Sequence, residues 1–139
     1  MNKKKIILAI LILSIVGAVV AYKMYNKPHV NVANSKADIT ITANKILTDF
    51  SSDETSANKL YLEKIIEVKG TISETKLEKG KGIITLKTND DFGSVLCHLS
   101  EEATKEMSSL KVGQTISLKG ICTGYLMDVI LVKCEIINQ

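Results

Sequence analysis

The segment Ile66-Glu-Val-Lys-Gly-Thr-Ile72 returns later in the chain as Ile116-Ser-Leu-Lys-Gly-Ile-Cys122. In each, apolar or small residues occupy every second position, the period of a strand with one face turned inward. A glycine stands at the same place in both, on that inner face. It removes a side chain where a sheet must bend sharply to close. Two amphipathic strands of one design, each with a gap on its inner face, suit neighbours in a small barrel better than strands of an open sheet.

The rest of the chain supplies what such a barrel needs. Thr42 suits a helix N-cap, and Ala43, Ile46, Leu47 and Phe50 share one helical face. Ser51 to Asp53 interrupt this helix, and a second covers Glu54 to Leu62. After Lys64 the apolar period changes from 3.6 to 2. A first strand carries Ile66 to Ser73, Lys76 to Gly82 turn, and Ile84 and Leu86 mark a second strand. Asn89 to Gly93 turn again into a third, Ser94 to Leu99. Ser100 caps a short helix with Ala103, Met107 and Leu110 on one side. The last two strands are Thr115 to Cys122 and Tyr125 to Ile137, with a turn at Thr123-Gly124. Three strands, a helix and two strands are the order of a five-stranded Greek-key barrel of the OB type, in which the first and fourth strands adjoin.

Ile6 to Tyr22 is an uncharged apolar run between Lys3, Lys4 and Lys5 on one side and Lys23 and Lys27 on the other. It approaches the roughly 20 residues a helix needs to cross a bilayer. The leading lysines favour an N-terminus in the cytoplasm. The reading is a single-pass anchor in the cytoplasmic membrane with the C-terminal domain outside, in the periplasm. The alternative is a cleaved signal segment, with Val19 and Ala21 as the small residues before the cut, although the run exceeds the ~7–15 residues of a usual signal core. No cysteine lies nearby to carry a lipid. Residues 1–25 are thus anchor or signal and 26–41 a linker, polar from Asn26 to Lys36 and holding the sole proline, Pro28. Residues 42–139 form the domain. The expected fold is mainly β: the OB barrel with a helical N-terminal extension, a short helix between strands three and four, and an N-terminal transmembrane helix.

The anchor hides the charge of the rest. The chain carries +3, but five of its 18 basic residues lie at or before Lys27, leaving 13 against 15 acidic ones, a net of −2. All the basic residues are lysines. Nucleic-acid binders cluster positive charge and use arginine for bidentate contacts, so this mixed surface argues against such a partner.

Leu110-x-x-Gly113-Gln114, followed by Lys119-Gly-Ile-Cys-Thr-Gly-Tyr-Leu126-x-Asp128-Val129-x-Leu131-x-x-Cys134, resembles the tRNA-anticodon-binding-like family of small bacterial OB-fold proteins, common in Bacteroidetes-type bacteria. Lys59-x-Tyr61-Leu62-x-Lys64-x-Ile66-x-Val68-x-Gly70 and Tyr25-Asn-Lys-Pro-His29 resemble it too. The resemblance covers most of the chain beyond the apolar run. It implies an OB fold with a helical N-terminal extension and an export or anchor segment. It brings no function, because likeness to anticodon-binding domains is no warrant for binding tRNA.

Few side chains offer chemistry. Strand alternation turns Cys97 inward with Val95 and Leu99, Cys122 with Ile116 and Leu118, and Cys134 with Ile130 and Val132. They read as buried free thiols or as one disulfide with a thiol left over; Cys97 and Cys134 are a pair if strands three and five adjoin. Cys97 and His98 are consecutive on a strand and face opposite sides, so they do not grip a metal or form a nucleophile and base. His29 lies in the linker. The Asp90-Asp91 turn serves its own backbone. These residues predict no catalytic group, no cofactor and no metal. A ligand or partner face would draw on Lys87, His98, Tyr125 and Asp128, with Tyr125 also suited to cover the barrel end and Asp128, on the inward parity of Ile130, to make a rim hydrogen bond. The sequence therefore predicts a non-catalytic binding or assembly module held at the membrane, with an envelope protein or small ligand as partner. The alternative is a domain for single-stranded, tRNA-like nucleic acid.

Overall fold

A computed structural model describes residues 2–26 and 31–138. It divides into two compact units, Met1–Val30 and Asn31–Gln139. Pro28 and His29, placed in the linker by sequence, fall outside the described residues.

The described residues of the first unit form one helix, α1 (Lys3–Tyr25), none of whose residues is buried. Its 23 residues extend about 35 Å at 1.5 Å each, enough to cross a hydrocarbon core of about 30 Å. The hydroxyl of Ser14 donates to the Ile10 carbonyl at 2.9 Å, so this polar group is satisfied within the helix, as an apolar solvent demands.

The second unit contains six strands: β1 (Ile39–Thr42), β2 (Ile65–Glu78), β3 (Lys81–Lys87), β4 (Val95–Leu99), β5 (Thr115–Leu126) and β6 (Asp128–Asn138). Its helices are α2 (Ala43–Ser52), α3 (Glu54–Tyr61) and α4 (Glu101–Glu106), the last continued by a 3-10 turn at Met107–Ser109. The strands β2 to β6 are the five expected from sequence. They close in the order β2-β3-β4-β6-β5 and back to β2, with β4 and β6 parallel and the other barrel pairs antiparallel.

The two echoed segments pair with each other. Ile66 stands opposite Gly120, Val68 opposite Leu118, and Gly70 opposite Ile116. Each glycine thus faces the first isoleucine of the other segment. A Cβ on Gly70 would lie 3.0 Å from Ala43 Cβ, and one on Gly120 would lie 3.0 Å from the Val132 carbonyl and closer still to Cys134 Sγ. The missing side chains let α2 and β6 approach, and the barrel closes over a core that includes Ile66, Val68, Ile84, Leu86 and Leu118.

Helices cover this core, and side chains cap their N-termini. Thr42 accepts from Lys45 N at 3.2 Å, Asp53 from Ser56 N at 3.1 Å and Ser100 from Ala103 N at 3.1 Å. Ile46, Leu47 and Phe50 of α2 and Ala57 and Tyr61 of α3 are buried. Phe50 packs between Tyr61 and Tyr125, with ring centroids 5.7 and 5.6 Å away. Tyr61 donates to the Asp49 carboxylate, which Lys45 also reaches. Burial pushes Asp49 up, but the bonds from Lys45 and Tyr61 outweigh it and hold the carboxyl below its ordinary value. Burial first, and then Asp49, raise the Tyr61 hydroxyl to about 12.

Three sequence expectations need correction. Residues 31–41, read as linker, belong to the folded unit: Val32 is 3 % exposed, Lys119 Nζ donates to the Ser35 carbonyl at 2.7 Å, and β1 pairs in parallel with β2 from Ile39 opposite Ile66. The apolar residues of β1 are too few to show a period. The final turn falls at Met127 rather than Thr123-Gly124, because β5 continues so that Tyr125 can stack on Phe50. In β6, Val129 and Leu131 point inward, while Ile130 and Val132 are half-buried on the outside. Cys134 still faces the core because β6 bulges: Cys97 pairs with Leu131 but Leu99 with Cys134, and Lys133 lies at φ 53°. One extra residue reverses the parity of everything beyond it.

Candidate functional site

The outer face of β2 and β3 carries a cleft of about 640 Å³. Thr71, Ser73, Thr85 and Lys87 are its floor, the loop from Thr88 to Ser94 is one wall, and Val112 and Gly113 are another. The floor residues share a face because Thr71 pairs with Lys87 and alternate positions of each strand point the same way. The Ser73 hydroxyl donates to the Thr85 carbonyl at 3.2 Å, and Thr71 shares a hydroxyl contact with Thr115.

The loop wall is held by its own bonds. Thr88 Oγ1 donates to the Gly93 carbonyl, Asp90 Oδ1 accepts from Phe92 N at 2.9 Å, and Asn44 of α2 accepts from Asn89 N at 2.6 Å. Asp128 joins the loop to the start of β6, accepting from both the amide and the hydroxyl of Ser94 at 2.8 Å.

Two of the four residues proposed from sequence meet in this cleft. Lys87 is exposed on its floor, and Asp128 lies at its edge, half-buried in the bonds to Ser94. His98 is on the same outer face but one strand away, opposite Ile83, and is half-buried. Tyr125 is not in the cleft; it stacks on Phe50 over the barrel end. Cys97, Cys122 and Cys134 are free thiols and wholly buried. Cys134 and Cys97 lie close enough to interact, and burial, then that neighbour, push the Cys134 thiol well up. Burial also raises Cys122. Among the described residues no three His, Cys, Asp or Glu side chains gather as a metal site.

Sequence reasoning passed over Phe92, Val112, Leu126 and Met127. Phe92 is 81 % exposed and lines the cleft. An aromatic residue within Asn89-Asp-Asp-Phe-Gly93, otherwise polar and turn-forming, was the available signal. Leu126 and Met127 were hidden by the misplaced turn, which kept them inside a strand. The cleft mixes hydroxyls, one cation, an aromatic ring and two exposed carboxylates, Asp90 and Asp91. It suits a small polar ligand or a peptide segment, and the carboxylates disfavour a run of phosphates.

A closed five-stranded barrel with strands three and five parallel and a short helix before strand four defines an OB-fold domain. The model of the tRNA_anti-like family matches residues 1–136, so the chain belongs to that family. No curated protein sequence matches it. Among solved structures, the chain is similar to a Klebsiella pneumoniae lipoprotein named as a candidate nucleic acid-binding protein. The two share 15 % identity over 75 % of this chain and 100 % of the other, with a TM-score of 0.63. A Leishmania major protein named as a candidate aspartyl-tRNA synthetase matches at 13 % identity and a TM-score of 0.51, over 88 % of this chain and 26 % of the synthetase. At these identities the likeness shows the fold alone.

Proposed function

We propose that the chain is a membrane-tethered, non-catalytic binding or assembly module, with its OB barrel on the outer side of the cytoplasmic membrane. The observation that carries this reading is α1. It is long and apolar enough to span a bilayer, it opens with three lysines, and no residue of it is buried. The barrel is the presenting domain, and the cleft around Lys87 and Phe92 is its ligand surface, for an envelope protein or a small molecule. Cross-linking in intact membranes followed by capture of the full chain tests this. Repeated recovery of the same envelope component, lost on Lys87→Glu with Phe92→Ala, supports it; repeated recovery of nothing counts against it.

A second reading, single-stranded nucleic acid, is favoured by one observation: Phe92 and Lys87 line the same cleft, an aromatic ring beside a cation. Asp90 and Asp91 at the rim and the net charge of −2 beyond Lys27 weigh against it. Titration with labelled single-stranded RNA at low salt decides. Binding that falls steeply as salt rises selects the nucleic-acid reading.

A further inference from the structure

The cleft on β2 and β3 separates its donors from its acceptors. On the floor, Lys87 Nζ can only donate. The ion pairs among the described residues lie elsewhere, at Lys45, Lys76 and Lys105, so nothing there neutralises this exposed cation. On the loop wall, backbone amides are already used within the fold. Asn89 N donates to Asn44, Asp90 N to Thr88 Oγ1, Phe92 N to Asp90 Oδ1 and Ser94 N to Asp128 Oδ1. What this wall turns outward is therefore acceptor: the second oxygen of Asp90 and the whole carboxylate of Asp91. Both residues are exposed, and among the described residues no hydrogen bond reaches Asp91.

Two large apolar side chains stand over the same floor, one from each wall. Phe92 is 81 % exposed and Val112 65 %. The loop does not need the ring of Phe92, because its amide alone closes the turn on Asp90. Apolar contact beside a few placed polar groups is the make-up of a small-ligand site, and about 640 Å³ lies inside the usual range of roughly 300–1,000 Å³.

We infer that this cleft binds a zwitterionic amino compound, an amino acid or a short peptide with free ends. Its ammonium group lies on Asp90 and Asp91, its carboxylate on Lys87, and an apolar side chain between Phe92 and Val112. The inference rests on the reading of the cleft as the ligand surface and names what enters it. Charge selects the class. A ligand seated here takes water from Lys87 and from the aspartates together, and charge removed from water is costly unless it is paired. An anion satisfies Lys87 but lies against two carboxylates. A cation satisfies the aspartates and leaves Lys87 bare. A neutral sugar offers all three charges bonds to uncharged hydroxyls, and pairs charged on both sides are stronger. A compound with both charges pairs every one of them. Direction follows from the same division, since the loop wall takes donors and the floor lysine supplies them. Between the two, Ser73 gives its hydrogen to the Thr85 carbonyl and keeps its lone pairs for the ligand. The chain from Lys87 to Asp91 spans no more than about 14 Å, so a ligand of one to three residues bridges the charges.

The full chain, labelled with nitrogen-15 in detergent micelles, is titrated with leucine and with the tripeptide alanyl-leucyl-alanine. Each probe is also used N-acetylated and C-amidated. The expected result is movement of the Lys87, Asp91, Phe92 and Val112 amide signals, with either cap weakening binding about tenfold to a hundredfold. The tighter of the two uncapped probes identifies the source, amino acid or peptide. Lys87→Gln should weaken the uncapped probe and leave the amidated one unchanged. Asp91→Asn should weaken the uncapped probe and leave the acetylated one unchanged. Both positions are exposed, and unmoved amide signals elsewhere show that the variants fold. Equal binding of capped and uncapped probes overturns the charge pairing, and an exchanged response of the two variants overturns the direction. Tighter binding of chitobiose or of a thymidine oligonucleotide assigns the cleft to a glycan or a nucleic acid instead. No signal movement with any zwitterion at millimolar concentration overturns the class. The cleft itself is judged separately, by whether Lys87→Glu with Phe92→Ala abolishes cross-linked capture. Movement confined to amides outside the cleft overturns the class and the cleft together.

Discussion

Gly120→Ala is the sharpest test of how the barrel closes. The new methyl group would point into the core, 3.0 Å from the Val132 carbonyl and within the van der Waals shell of Cys134 Sγ. Cys134 is wholly buried and β6 is fixed on both sides by β4 and β5, so neither neighbour can swing away. Forcing an extra methyl into a packed core costs about 1–3 kcal/mol. Alanine returns about 0.4–1 kcal/mol by restricting the unfolded chain. The expected net loss is about 2 kcal/mol, near the upper end because one clashing group is backbone. For a domain of this size that lowers the thermal midpoint by about 10 °C. Urea unfolding of the full chain in detergent, followed by the far-ultraviolet signal of the sheet, reads the loss directly. Cys134→Ala in the same background should recover part of it, giving a coupling of about 1 kcal/mol in a double-mutant cycle. A Gly120→Ala protein as stable as the parent would refute the claim that the echoed glycines are close-approach positions.

Val32→Ala should cost about 1–2 kcal/mol although it lies in a stretch that reads as linker; an unchanged unfolding curve would return residues 31–38 to that role. The Tyr61 hydroxyl, raised to about 12, contributes stability that is whole below the ordinary tyrosine value near 10 and lost as pH rises from there to about 12. Asp49, held low, contributes stability present above the ordinary aspartate value and lost as pH falls through its folded one. Tyr61→Phe should therefore flatten the alkaline limb of a stability-against-pH curve and cost about 1–2 kcal/mol at neutral pH; an identical alkaline limb contradicts the Asp49 bond. The three thiols should resist alkylation in the native protein, and the denatured, unreduced chain should take up three groups by mass; uptake of one would mean that two of them have joined.

Much of the barrel was legible because its signals are local. Alternation, caps and turns repeat within a few residues, and the Ile66 and Ile116 segments carried even a long-range pairing, since their glycines mark the same geometric need. What escaped depends on the tertiary environment. β1 is four residues long, and its pairing to β2 comes from the partner. The bulge at Lys133 has no glycine to announce it. Tyr125 extends β5 past Gly124 because Phe50, distant in sequence, offers a ring to stack on. At the candidate site, Lys87 could be proposed from strand parity, whereas Asp128 was read on the inward parity of Ile130 that the fold reverses, and Phe92 owes its significance to exposure, which only folding assigns.

The central claim is that a bilayer anchor carries this barrel on the outer side of the membrane. A phosphatase that matures only after export, fused after Gln139, tests it together with alkaline extraction of the membranes. The account predicts an active enzyme that stays in the extracted membrane fraction at the full length of the fusion. Activity confined to a cytoplasmic reporter at the same position, or an active fusion released in shortened, soluble form, would contradict it.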